Sequence, residues 1–367
     1  MRGLIKLLIL SVTIKCVSAF NFTSDDFDET SHHINHESIA TISSDYKSDD
    51  EETNQNTSED FSQKPISPPP VSKTPKFSFY QNTVNLEEKP RKYKEPLVDV
   101  DELAKKIYWV HSFKVMQLNN PDWSFSNKAK IHPQSVASVI KLPIVNAALK
   151  QIKEGTINPR KKLKVVADNI QSYDGEPVGQ AYTVTKAIHA TLYRSSNTCP
   201  NLLAEEMGGL MATRTKLHEL GYRNTGYNYL SAKKRTIMPV FKVGSTADDL
   251  AKSVYDFYHK YRHVQNTNRR DSAWHAFTNT KYKINVPGAV NTGGKIGTNS
   301  ISSTYAGIYR IDKIDYIIVT LIDRRSFNMK YKGRINATNG DKALEEANKI
   351  IVKTILDANQ SSTIKGY

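Results

Sequence analysis

The stretch ASVIKLPIVNAAL, Ala137–Leu149, is apolar on nearly every side of the helix that its spacing predicts. Such a helix has no face to give to water, so it belongs at the centre of a domain with other elements wrapped around it. The predicted helix, Ser138–Lys153, holds one misfit: Lys141, three places after Ser138. Residues three apart on a helix share a face and can meet within hydrogen-bond reach. Burial disfavours an ammonium, which leaves some free amine able to take a serine proton. A serine at a helix N-terminus also has exposed N–H groups beside it that can stabilise an oxyanion. The pair reads as a nucleophile and its base; the bland alternative is a lysine snorkelling out along an apolar helix. Ser-x-x-Lys recurs at Ser44, Ser231 and Ser362, but in polar stretches without the apolar surroundings.

The rest of the ordered pattern frames that helix. LVDVDELAKKIYW predicts a helix starting near Pro96, and Val110–Leu118 and Trp123–Ile131 predict strands joined by a turn at Asn119-Asn120-Pro121-Asp122. TVTKAIHATLYR, PNLLAEEMGG and LMATRTKLHELG continue as helices, two of them ending at glycine as C-caps do. STADD opens a further helix, Ser245–Tyr261, with a capping pattern and a core-facing stripe of Val254, Phe257, Tyr258 and Tyr261. Thr304–Ile311 and Tyr316–Asp323 predict a β-hairpin with a short turn, and Asp341–Asp357 a last helix with Leu344, Ala347 and Ile351 on one face. Strands, a helical block, then strands and a helix predict one sheet domain interrupted by an all-α insert.

The first residues differ in kind. Residues 1–19 join Arg2 and Lys6 to the apolar run Leu7–Ile14 and the small-x-small Val17-Ser18-Ala19, the pattern of a cleaved secretory signal. The apolar run is too short to span a bilayer, so no transmembrane segment is expected in the mature chain. Residues 20–95 are acidic and then Pro-rich, as in KPISPPPVSKTPK (Lys64–Lys76), and read as a disordered linker. His32 and His36 in that tail are helically spaced, but a polar tail is a poor frame for a metal site, and no metal or cofactor is expected. Residues 21–63 hold twelve acidic side chains against one basic one, and residues 1–19 hold three bases; with a total of +14, residues 64–367 carry +22. Outside the cytoplasm that charge favours anionic wall polymers or lipid headgroups over nucleic acid. Cys199 is the one cysteine beyond the signal, which excludes an internal disulfide in the processed chain and leaves a small buried filler as the simplest reading.

Two more motifs follow the Ser-Lys pair. YRSSNTCPNLL places Ser195-Ser196-Asn197 between two predicted helices, and NTGGKIGTNS places Lys295-Ile296-Gly297 at the start of a predicted strand. The order Ser-x-x-Lys, Ser-x-Asn, Lys-x-Gly, separated by 57 and then 100 residues, resembles the class A serine β-lactamases and the related penicillin-binding proteins, the serine DD-peptidases. The resemblance covers about Pro96 to Asp357. It implies an α/β (α+β) fold with a five-stranded antiparallel sheet flanked by N- and C-terminal helices and an inserted all-α subdomain. Residues 96–367 then form one β-lactamase-like domain, with a sheet part at 96–137 and 245–367 and a helical part at 138–244.

Residue by residue, the resemblance makes Ser138 the acylated nucleophile and Lys141 its proton acceptor. Ser195 relays a proton to the leaving group, Asn197 holds a substrate amide, and Lys295 attracts a carboxylate and tunes Ser195. Gly297 belongs to the third motif, and the backbone N–H groups of Ser138 and Thr298 form the oxyanion hole. The implied substrate is a β-lactam or a D-alanyl-type envelope compound.

Three departures qualify this. The stretch Gly221–Ala247, where class A enzymes carry the glutamate that activates the deacylating water, has no Asp or Glu, so Asn201 is expected to lack its partner and Glu205 and Glu206 lie too close to the second motif to replace it simply. Ile296 stands where the family has Thr or Ser, which removes a hydroxyl worth about 1.5–3 kcal/mol against a carboxylate. Ser196 replaces an Asp that supports the loop. The sequence therefore points to a secreted serine hydrolase or acyltransferase of the cell envelope that deacylates β-lactams poorly. The alternatives are a class A β-lactamase with another deacylation route and a non-catalytic envelope-binding protein that keeps the fold.

Overall fold

Three long strands, buried along most of their length, set the architecture. Strands β1 (Ser112–Gln117), β2 (Ser124–Ser126), β5 (Val290–Thr298), β6 (Ser302–Ile311) and β7 (Ile314–Asp323) form one sheet in the order β2-β1-β7-β6-β5, every pair antiparallel. The computed structural model describes residues 98–127, 133–169, 176–228, 243–264 and 269–364. The expected signal at 1–19 and tail at 20–95 with His32 and His36, the last residues of the predicted strand Trp123–Ile131, and residues 229–242 lie outside the described residues.

Ile308, Ile317, Val319 and Leu321 enter one apolar cluster, while Tyr309, Ile311, Tyr316, Ile318 and Ile322 enter another. The second is covered by helices α1 (Val100–Lys106) and α9 (Ala337–Ile364) through Leu103, Ile107, Leu344, Ala347 and Ile351. A sheet covered on both faces explains why YIIVTLID reads as a continuous apolar run. The β6–β7 turn is made by Asp312 and Lys313, both left-handed at φ 47° and 65°, the twist that a two-residue hairpin needs.

The first cluster is the helical part. Ala137–Ile140 forms one 3₁₀ turn that runs directly into α2 (Lys141–Lys153). Leu142, Ile144, Val145, Ala147, Ala148 and Leu149 are all buried, so the helix is enclosed as its composition demands. Around it pack α3 (Val184–Tyr193), α4 (Thr198–Glu206), α5 (Gly209–Glu219) and α6 (Ala247–Asp256). Gly208 and Gly221 follow α4 and α5 at φ 99° and 84°, as the C-cap reading expects. Thr246 caps α6 by accepting from Asp249 N–H at 3.2 Å, and α6 lies against the sheet through Leu250 and Val254 before ending in a π turn, Phe257–Tyr261.

Three details were not visible in the sequence pattern. The helical part also carries a two-stranded ribbon, β3 (Lys162–Lys164) with β4 (Ala181–Thr183). Two short helices, α7 (Ala273–Thr278) and α8 (Arg324–Lys330), flank the sheet strands. Lys295-Ile296-Gly297 lies towards the end of β5 rather than at its start, because pairing with β6 already begins at Val290.

Candidate active site

Three segments converge where the sheet meets the helical part: the 3₁₀ turn bearing Ser138, the α3–α4 turn bearing Ser195 and Asn197, and the end of β5 bearing Lys295. The first segment is held by close backbone packing. A Cβ added to Gly297 would lie 2.4 Å from Ser138 N, 2.8 Å from Val139 N and 2.9 Å from Val136 O. Only glycine lets β5 run against the start of α2 at that range. Ala137, just before Ser138, sits at φ 43°, a left-handed conformation that costs a non-glycine residue about 1 kcal/mol or more.

Lys141 is fully buried, and four oxygens surround its amine. Nζ lies 3.0 Å from Ser138 Oγ, 3.1 Å from Ser195 Oγ and 2.6 Å from Asn197 Oδ1, and it also contacts the Ser195 carbonyl. An ammonium has three protons and no lone pair, so it cannot donate to all four at once. A free amine in the same place donates to two of them and offers its lone pair to the Ser138 hydroxyl proton. That is the geometry of a base beside its nucleophile.

Lys295 is a second buried lysine in contact with Ser195. Its Nζ donates to Ser195 Oγ at 2.9 Å and to the Ile296 carbonyl at 3.0 Å, and burial pulls its ammonium down to about 7. Ser195 Oγ thus lies between two amines, which suits a hydroxyl that passes a proton from one side to the other. Ser195 itself is left-handed, at φ 61°. Backbone strain of this kind collects where the surrounding structure fixes a functional group.

The remaining residues named from the sequence fall nearby. Thr298 ends β5, with its hydroxyl 2.8 Å from Ser303 Oγ and donating to Asp341 Oδ1 at 3.1 Å. Ile296 turns the other way and fills the apolar cluster beneath α1 and α9 beside Tyr305, so its methyl groups belong to the core. Cys199 is fully buried, in keeping with a small filler. Among the described residues no group of three His, Cys, Asp or Glu is placed to hold a metal ion.

Asn201 is engaged by a residue that the sequence did not point to: the hydroxyl of Tyr227, itself fully buried, donates to Asn201 Oδ1 at 2.8 Å. The tyrosine comes from the stretch after α5 that lacks acids, and no local pattern marks it, because the pair is 26 residues apart in sequence. Glu206 is occupied elsewhere, in an ion pair with Lys161 at 2.7 Å.

A model of the beta-lactamase enzyme family matches residues 100–355, most of the chain. The chain belongs to the beta-lactamase enzyme family. Solved structures of the same fold include PBP-A, at 16% identity and a TM-score of 0.55 over 70% of this chain and 96% of that one. A PBP-A variant in acyl-enzyme complex with penicillin G gives 17% identity and 0.55, over 70% and 97%. A beta-lactamase from Xanthomonas campestris pv. campestris gives 14% and 0.56, over 70% and 95%. No curated protein matches the chain. The resemblance read from the three motifs is borne out, and so is the fold with its five-stranded antiparallel sheet. The family is one of serine hydrolases, and no helix among the described residues is long and apolar enough to cross a membrane.

Proposed function

We propose that this protein is an extracytoplasmic serine hydrolase or acyltransferase that forms an acyl-enzyme on Ser138 with β-lactam or D-alanyl-type envelope substrates and releases β-lactam acyl groups slowly. The observation that carries this reading is the buried Lys141 amine, in contact at once with the Ser138 and Ser195 hydroxyls. Ser138 Oγ attacks the acyl carbonyl as its proton passes to Lys141 Nζ. The carbonyl oxygen takes up negative charge against the N–H groups of Ser138 and Thr298. As the tetrahedral intermediate collapses, Ser195 Oγ–H protonates the departing nitrogen or oxygen and is reprotonated from the amine network. Lys295 in its charged form draws in an anionic substrate group, and Asn197 orients a substrate amide.

Slow release rests on two observations. Gly221–Ala247 contains no Asp or Glu, and Asn201 Oδ1 accepts from a tyrosine hydroxyl of that same stretch. A water molecule attacking the ester then lacks the glutamate base of class A enzymes. The excess positive charge of residues 64–367 suits a polyanionic wall, and the signal pattern at residues 1–19 suits export to it.

The test is incubation with a fluorescent penicillin followed by denaturing electrophoresis. A stable adduct present in the wild type and absent in Ser138→Ala is the expected result. Rapid loss of label would return the protein to the ordinary β-lactamases, and absence of any adduct, repeated with a D-alanyl ester probe, would leave a non-catalytic binder.

A further inference from the structure

The turn that carries Ser195 is four residues long, Arg194–Asn197, and joins α3 to α4. The residues on either side of Ser195 reach the same atom. Glu176 Oε1 accepts from Arg194 Nη2 at 2.6 Å and from Ser196 Oγ at 2.9 Å, with Cys199 Sγ 3.7 Å away. Ser196 Oγ in turn accepts from Cys199 N–H at 3.0 Å, which fixes the first turn of α4, and Arg194 Nη2 also donates to the Tyr182 hydroxyl at 3.0 Å. The Glu176 side chain is 2% exposed, and its second oxygen, Oε2, is buried without a hydrogen-bond partner. A carboxylate so placed is costly to bury, and its one bonded oxygen is spent on the two residues that bracket Ser195.

The motif of related enzymes has an Asp between its Ser and Asn; here Ser196 stands there and brings no charge. We infer that Glu176 is the positioning residue of this site: from the segment ahead of β4 it supplies the carboxylate that Ser195-Ser196-Asn197 lacks. By clamping Arg194 and Ser196 it holds Ser195 left-handed, with Oγ between the Lys141 and Lys295 amines. This carboxylate lies 20 residues before Ser196 in sequence and meets it at the turn. Its effect on acylation rests on reading Ser195 as the proton relay; its effect on the turn does not.

Three variants of the full chain test this: Glu176→Ala, Glu176→Gln and the double Glu176→Ala/Ser196→Asp, which returns a carboxylate to the motif. Crystal structures read the turn, and fluorescent penicillin labelling at Ser138, normalised to folded protein, reads rate and half-saturating concentration separately. In Glu176→Ala, Ser195 should leave the left-handed region and Oγ should lose both amines, with the labelling rate down about a hundredfold at an unchanged half-saturating concentration. Glu176→Gln keeps one acceptor oxygen and should fall between. The double variant should regain the turn and return to within about tenfold of the wild-type rate.

The inference is overturned by an unmoved Ser195 with both amine contacts intact in Glu176→Ala, or by a double variant no better than the single one. If Glu176→Ala does not fold, the same readouts on the Gln and double variants decide: a turn disturbed in Glu176→Gln and restored in the double supports the clamp, and a turn unmoved in Glu176→Gln refutes it. If the wild type takes no label, the acylation reading falls and the crystal structures still decide the role of Glu176.

Discussion

Between the Ser195 turn and β5, polar groups point at one another: two buried amines share the Ser195 hydroxyl, and one of them also reaches Ser138. Across α4, Asn201 accepts from a tyrosine hydroxyl that comes from a stretch of chain holding no acid. The first neighbourhood holds the groups that the proposed acylation uses, and the second is where the proposal puts the slow step. Under the proposed mechanism the two half-reactions depend on different segments, so one can be tested without disturbing the other.

The contrast can be broken most directly at the nucleophile. Ser138→Ala should abolish fluorescent-penicillin labelling, a loss of at least about a thousandfold by gel densitometry, while the melting temperature stays near that of the wild type. Labelling that survived would move the chemistry off this turn. Next in size is Gly297→Ala. Its Cβ would meet Ser138 N at 2.4 Å, so β5 and the nucleophile turn must part, and labelling should fall about a hundredfold.

The pH dependence sharpens the role of Lys295. Its ammonium ionises near 7 in the folded protein, so for a donor bearing a carboxylate kcat/KM should fall about tenfold per pH unit above that point. A neutral ester donor should lack that decline, and matching profiles for the two would remove Lys295 from anion recognition. The sign for stability runs the other way. An unfolded chain holds this proton up to about 10.5 and the folded one only to about 7, so this group's contribution to stability should rise with pH across that window in denaturant titrations.

At Asn201 the effect should be smallest. Tyr227→Phe removes one buried hydrogen bond and should cost about 1–2 kcal/mol in urea unfolding without hastening adduct loss. Hydroxylamine, which needs no base, should strip the adduct from wild type and variant alike.

What the sequence showed and what it hid divide along physical lines. α2 was legible because a helix apolar all round has one place to go, and the β6–β7 hairpin because both of its strands are long and apolar. The three short motifs named Ser138, Lys141, Ser195, Asn197 and Lys295, and the fold brings all five together. Glu176 and Tyr227 were hidden because each meets its partners across 18 or more residues, through contacts that leave no periodic trace. The left-handed Ala137 and Ser195 were hidden too, since neither residue type signals that conformation. The outward-facing ribbon β3–β4 is only three residues a side, too short for alternation to show.

The position of β7 in the sheet has a consequence for the order of events in the cell. β7 joins β1 to β6 and pairs with a strand about two hundred residues upstream. A nascent chain that ends before Ile314 has β1 and β6 with nothing between them, so the β5–β6 pair has no β7 to join it to β1 and the β5 lysine no fixed address. Long-range pairing of this sort is late and slow. The cluster of Ser138, Lys141, Ser195 and Lys295 therefore comes together only once β7 has been synthesised, and it stays incomplete on any nascent chain that stops short of that strand.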